Sequence, residues 1–149
     1  YAAVLVRSTE RLLRGVVMTV GEYLRELAEA PELKVSGLVR LSDLEAEEAQ
    51  EFRAGWPGLE VGRRRQVVRE LMELAEDNVD LNFDAVFLLG QEDGDAEVRL
   101  EAVRGLWEYE GPELVAPLLR MLAEDEDARV RSEAALALGR FVLLAQYGQ

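Results

Sequence analysis

Apolar positions recur at helical spacing along most of the chain, and no stretch alternates as a half-buried strand would. In "VGEYLRELAEA", starting at Val20, the side chains of Tyr23, Leu24 and Leu27 share one face, and Pro31 stops the helix. "SDLEAEEAQEF" opens with Ser42 and carries Glu45 three places on, a spacing that predicts a capping box at the head of a second helix. "GWPG" at 55–58 breaks the chain. From Val61 to Asp77 the positions Val67, Leu71, Leu74 and Ala75 mark a third helix. "LNFDAVFLLG" predicts a short helix with Leu81, Val86 and Leu89 inward and Gly90 as its stop.

The pattern then repeats itself. "DAEVRLEAVRGLW" begins at Asp95, and "DARVRSEAALALG" begins 32 residues later at Asp127. Each Asp stands where an N-cap belongs, its carboxylate favoured by the positive end of the helix. Val98, Ala102 and Leu106 form one buried stripe and Val130, Ala134 and Leu138 another, with a small central residue that lets two helix axes approach. Between the copies, Gly111-Pro112 is expected to start a helix with Leu114, Leu118, Leu119 and Leu122 inward and a bend at Pro117. One unit thus reads helix, turn, helix, short acidic loop. Such a unit cannot bury its face alone and must stack on a copy of itself, which predicts an all-α fold, an α-solenoid of stacked antiparallel helical hairpins.

Composition narrows the chemistry. The 149 residues suit one domain, able to bury about two-thirds of its unfolded surface. A net charge of −13, spread along the chain, repels phosphate backbones and argues against nucleic acid and anionic membranes as partners. The chain has no Cys and no His, which removes thiolate nucleophiles, Cys or His zinc sites and Ser-His-Asp arrangements. No apolar run reaches the roughly 18 residues of a membrane span, and nothing points to export, so a cytoplasmic location is expected. Residues 1–17 are net positive, lack an initial Met and make a poor signal peptide. They read either as a surface helix or as sequence upstream of a start at Met18.

The motif Asp95, Val98-Arg99, Ala102, Leu106, repeated as Asp127, Val130-Arg131, Ala134-Ala135, Leu138-Gly139, resembles the HEAT-type repeat of the bacterial, phycobilisome-lyase-like subclass. The resemblance divides the chain into an N-terminal extension (1–17), a helical N-terminal region (18–58) and HEAT-like repeats (59–149). Within the last, 60–91 is a degenerate unit, 92–126 a regular one and 127–149 the start of a further one. It implies that Asp95, Arg99, Asp127 and Arg131 form a structural ladder between neighbouring repeats. It also implies a non-enzymatic protein–protein interaction scaffold with no cofactor. The alternative within such folds is an enzyme, either a bilin lyase or an alkyl-base DNA glycosylase. The charge disfavours the glycosylase, and no residue marks a bilin site.

Few residues stand out as candidate sites, and none as catalytic or metal-binding. Trp107 and Tyr109, at the end of a repeat helix, could anchor a partner or could pack on the adjacent loop. Trp56 is expected to pack. Arg63, Arg64 and Arg65 form the one basic cluster, suited to a phosphate or an acidic peptide, or simply a solvated face at a helix start. The "EDED" run at 124–127 lacks the alternating ligands and Gly of a calcium loop and reads instead as acids capping the next helix. Finally, Val130, Ala134, Leu136, Leu138, Phe141, Val142, Leu143 and Leu144 nearly encircle the last helix. Its C-terminal side should therefore be covered by further repeats, a second copy of the chain or another protein.

Overall fold

A computed structural model describes residues 18–148; the expectations for residues 1–17 lie outside it. The described residues form an all-α α-solenoid of seven α-helices with no strand. These are α1 (Val20–Glu29), α2 (Ala46–Gly55), α3 (Val61–Asp77), α4 (Asp84–Gly90), α5 (Ala96–Gly105), α6 (Val115–Glu124) and α7 (Ala128–Tyr147). Short 3-10 segments, Val35–Leu41, Trp56–Gly58 and Pro112–Leu114, punctuate the chain.

Local chemistry sets the starts and stops. α1 opens on a reciprocal capping box of Thr19 and Glu22. The box expected at Ser42 is displaced by three residues. α2 starts after Glu45, whose N–H donates to Glu48 at 3.1 Å. Ser42 instead donates to Asp43 and accepts from the Asn82 N–H, tying the loop before α2 to the loop before α4. Asp95 and Asp127 cap α5 and α7 as expected, accepting from Val98 N (3.1 Å) and Arg129 N (2.8 Å). Gly90 ends α4 without a left-handed backbone. Its value is closeness: a Cβ there would stand 3.0 Å from that of Ala102. Pro112 opens a 3-10 turn rather than a helix, so Pro117 falls in the first turn of α6, where its missing N–H breaks no helical hydrogen bond.

Packing corrects the hairpin assignment. The closely packed pairs are α4 with α5 and α6 with α7, each folded about an acidic loop, not α5 with α6 about Gly111-Pro112. The acidic loops are the tighter turns, which brings their flanking helices together. α3, α5 and α7 then lie side by side as the stacking layer, and α1 packs on α2. One core runs through the layers. Val20, Tyr23, Leu24 and Leu27 of α1 join Val67, Val68 and Leu71 of α3 and the stripe Val98, Ala102, Leu106. Val130 and Ala134 continue it, with Leu138 partly buried. In α4 and the residues leading into it, Val86 and the phenylalanines Phe83 and Phe87 carry the core, while Leu81 and Leu89 are only partly buried. Two inward assignments fail. Leu119 and Leu122 are exposed, because α6 turns Leu118 and Met121 toward α7 and leaves its other flank uncovered.

Candidate functional site

The amino ends of α3, α5 and α7 gather at one edge of the stack, and the expected ladder is there in altered form. Asp93 and Asp125 open the two acidic loops, and each accepts the N–H of the capping residue two places on (2.9 Å in both). Asp125, 6% exposed, takes both forks of Arg99 (2.9 and 3.0 Å). Arg99 also donates to the carbonyls of Asp93 and Gly94. The rung from Arg99 thus lands on Asp125, not on the cap Asp127. Arg131 makes the matching inner bond, to the carbonyl of Asp125 (2.8 Å). Asp127 pairs with Arg129, which reaches on to Glu97 (2.6 Å).

The three consecutive arginines are drawn into the same edge, in three directions. Arg63 donates to the carbonyls of Ala30 and Pro31 beyond the end of α1. Arg64 reaches the Leu59 carbonyl and pairs with Asp93 (3.1 Å), which also accepts the indole N–H of buried Trp56 (2.8 Å). Arg65 grips Asp95 with both forks (2.9 and 2.6 Å). The structure therefore does not bring them together as one basic patch. The Arg65 bond holds the Asp95 carboxyl down to about 2, against some opposition from burial. Burial alone would raise Asp125, but Arg99 carries it below the ordinary carboxylate range. Arg129 holds Asp127 down to about 2.

The opposite edge, at the carboxyl ends of α3 and α5, is open. A groove of about 510 Å³ runs between them over buried Phe83 and Phe87. Met72, Ala75 and Leu81 form apolar wall, with Val79 (94% exposed) and Trp107 (66% exposed) at the rim. Gly105 makes the groove possible, since a Cβ there would stand 2.6 Å from the Phe87 ring. Trp107 is thrown outward because its neighbours are tied down. Leu106 is buried, Arg140 of α7 donates to the carbonyls of Leu106 and Tyr109 (3.0 Å each), and Tyr109 donates to Glu113. Of the two aromatics, Trp107 faces solvent and half-buried Tyr109 braces the turn. The Glu113 bond pushes the Tyr109 hydroxyl up to about 12.

The groove is lined by one base and three acids. Arg104 is already engaged by Glu101 (3.1 Å) and Glu133 (3.5 Å). Glu76, Asp84 and Glu108 pair with no cation among the described residues, and the Asp84 carboxyl is raised, first by burial and then by the charge of Glu108. Smaller cavities beside Trp56 (about 220 Å³) and beyond α1 (about 460 Å³) carry no exposed large apolar side chain. Among the described residues no group of three or more His, Cys, Asp or Glu is placed to hold a metal ion, and no helix is long and apolar enough to cross a membrane. The groove had little signal in the sequence. Trp107 was visible as a candidate, but Val79, Glu76 and Asp84 come from loops and helix ends that only folding brings together.

Residues 84–145 match the family model for HEAT repeats, which spans α4 to most of α7 and agrees with the resemblance to a HEAT repeat there, without distinguishing a subclass. Comparison with curated proteins and with solved structures gives no match.

Proposed function

We propose that the chain is a non-enzymatic interaction scaffold that grips a segment of another protein in the Trp107 groove. HEAT repeats commonly serve as protein-interaction scaffolds, and residues 84–145 match them. The observation that carries the reading is the pairing of an exposed indole and an exposed Val79 with three carboxylates that meet no cation among the described residues. An exposed indole over an apolar floor is the kind of anchor on which binding energy concentrates. The carboxylates select what accompanies it. A ligand segment with one apolar side chain flanked by Lys or Arg would fill the floor and neutralise Asp84 and Glu108 together. An acidic segment would meet like charge.

The test is an affinity pull-down with mass spectrometry, comparing wild type with Trp107→Ala and with Glu108→Lys. Proteins captured by wild type and lost by both variants are the expected result. Identical captures by all three would remove the groove from the account. A parallel triple change of Arg63, Arg64 and Arg65 to Glu should unfold the chain rather than shift its partners, since all three arginines serve internal bonds.

A further inference from the structure

The groove carboxylates ask for a particular cation, and the rest of the fold shows which. Arg129 bridges two acids of successive units, Asp127 (2.9 Å) and Glu97 (2.6 Å). Arg104 does the same between Glu101 (3.1 Å) and Glu133 (3.5 Å). Asp84, in the first turn of α4, and Glu108, just past α5, form a similar pair in the groove, near enough for the charge of Glu108 to raise Asp84. This pair holds no arginine among the described residues. Glu76 adds a third negative charge, and α3 and α5 turn the negative ends of two helices toward the same place. Trp107, next in the chain to Glu108, lines the groove with its indole 66% exposed.

Carboxylates on two separate elements suit a planar fork of donors better than the single point charge of an ammonium. A guanidinium also stacks on an indole and gives up water more readily than an ammonium, which fits a site whose floor is Phe83 and Phe87. We propose that the groove selects arginine over lysine, the partner's guanidinium lying on the Trp107 indole and bridging Asp84 and Glu108. This rests on the groove reading and sharpens it, since that reading admits either base.

The probes are labelled, capped peptides of sequence Gly-Leu-Xaa-Gly, with arginine, lysine or asymmetric dimethylarginine at Xaa. Each is held in trace amount, titrated with the full chain and followed by fluorescence anisotropy. The arginine peptide should bind at least tenfold more tightly than the lysine peptide. Dimethylarginine keeps its charge but loses part of its fork, so it should fall toward lysine. Asp84→Asn and Glu108→Gln in the chain should each cut the arginine-to-lysine ratio at least threefold without changing the helical circular dichroism. Equal binding of the arginine and lysine peptides, both lost on Trp107→Ala, would overturn the selection and leave the groove reading standing. Dimethylarginine binding as tightly as arginine would overturn the bridge to the two carboxylates. Binding of none of the peptides, or binding that Trp107→Ala leaves intact, would overturn the selection and the groove reading together.

Discussion

The two edges of the helical stack treat their charges in opposite ways. At the amino ends of α3, α5 and α7, every loop aspartate meets an arginine of a neighbouring helix or its own, and Asp95 and Asp125 lie below the ordinary carboxylate range. At the carboxyl ends of α3 and α5, Asp84 sits in a groove with Glu76 and Glu108 and is raised instead. The first edge has settled its electrostatics within the fold and fixes the register of the repeats. The second leaves like charges and a bare indole facing water, an arrangement that folding alone does not favour and that a cationic partner would relieve. Structure is held at one edge, and the proposed recognition belongs to the other.

Removing an anchor of the closed edge should have the largest effect. Asp125→Ala leaves the Arg99 guanidinium, 12% exposed, without its carboxylate and the Asp127 N–H without its acceptor. A loss of about 3 kcal/mol is expected, at the low end for a broken buried pair because two carbonyls still bind Arg99. Urea unfolding would show it as a lowered midpoint, and a change below about 0.5 kcal/mol would mean the rungs do not hold the stack. Next comes Gly105→Ala, whose Cβ would press on Phe87 at 2.6 Å. Overpacking of about 1–3 kcal/mol is expected, with the groove distorted even where the chain stays folded.

Acid should separate the edges by sign. Asp95 lies at about 2 in the folded chain, below its unfolded value, so its stabilisation is complete above roughly pH 4 and is lost as pH falls toward 2. Asp84 is raised, so its contribution runs the other way, favouring the fold at low pH and fading as pH rises through its folded value. Melting curves from pH 2 to 7 should therefore show a shallower acid loss for Asp95→Asn than for wild type. Asp84→Asn should instead raise stability slightly near neutrality, by less than about 0.5 kcal/mol. Equal pH dependence in the two variants would erase the distinction. The smallest stability effect belongs to Trp107→Ala, within about 0.5 kcal/mol because the side chain is mostly in water.

Much of the closed edge was legible in sequence and little of the open one. The caps Asp95 and Asp127 and the stripe through Ala102 and Ala134 are local features, set by spacing within one helix. The residue that receives the rung, Asp125, lies outside the matching stretch that begins at Asp95 and Asp127. Read three residues earlier, both units begin Glu-Asp-x-Asp, as 92–95 and 124–127, and the preceding Asp appears as part of the repeat. The destinations of Arg63, Arg64 and Arg65 could not be read, since the hydrogen-bond partners of Arg63 and Arg65 lie some 30 residues away along the chain. The exposure of Leu119 and Leu122 is not legible either, because helical period gives a stripe but not how much of it the neighbours cover. Exposure of Trp107 follows from Arg140, 33 positions later, tying down the turn around it.

The most direct test of the division between edges is binding of the full chain to an array of short peptides, each with one apolar side chain flanked by lysines or by glutamates. Wild type and Asp95→Asn should both prefer the lysine-flanked set, and Trp107→Ala should lose that preference while melting at the wild-type temperature. A preference for glutamate flanks, or one that survives Trp107→Ala, would contradict the account.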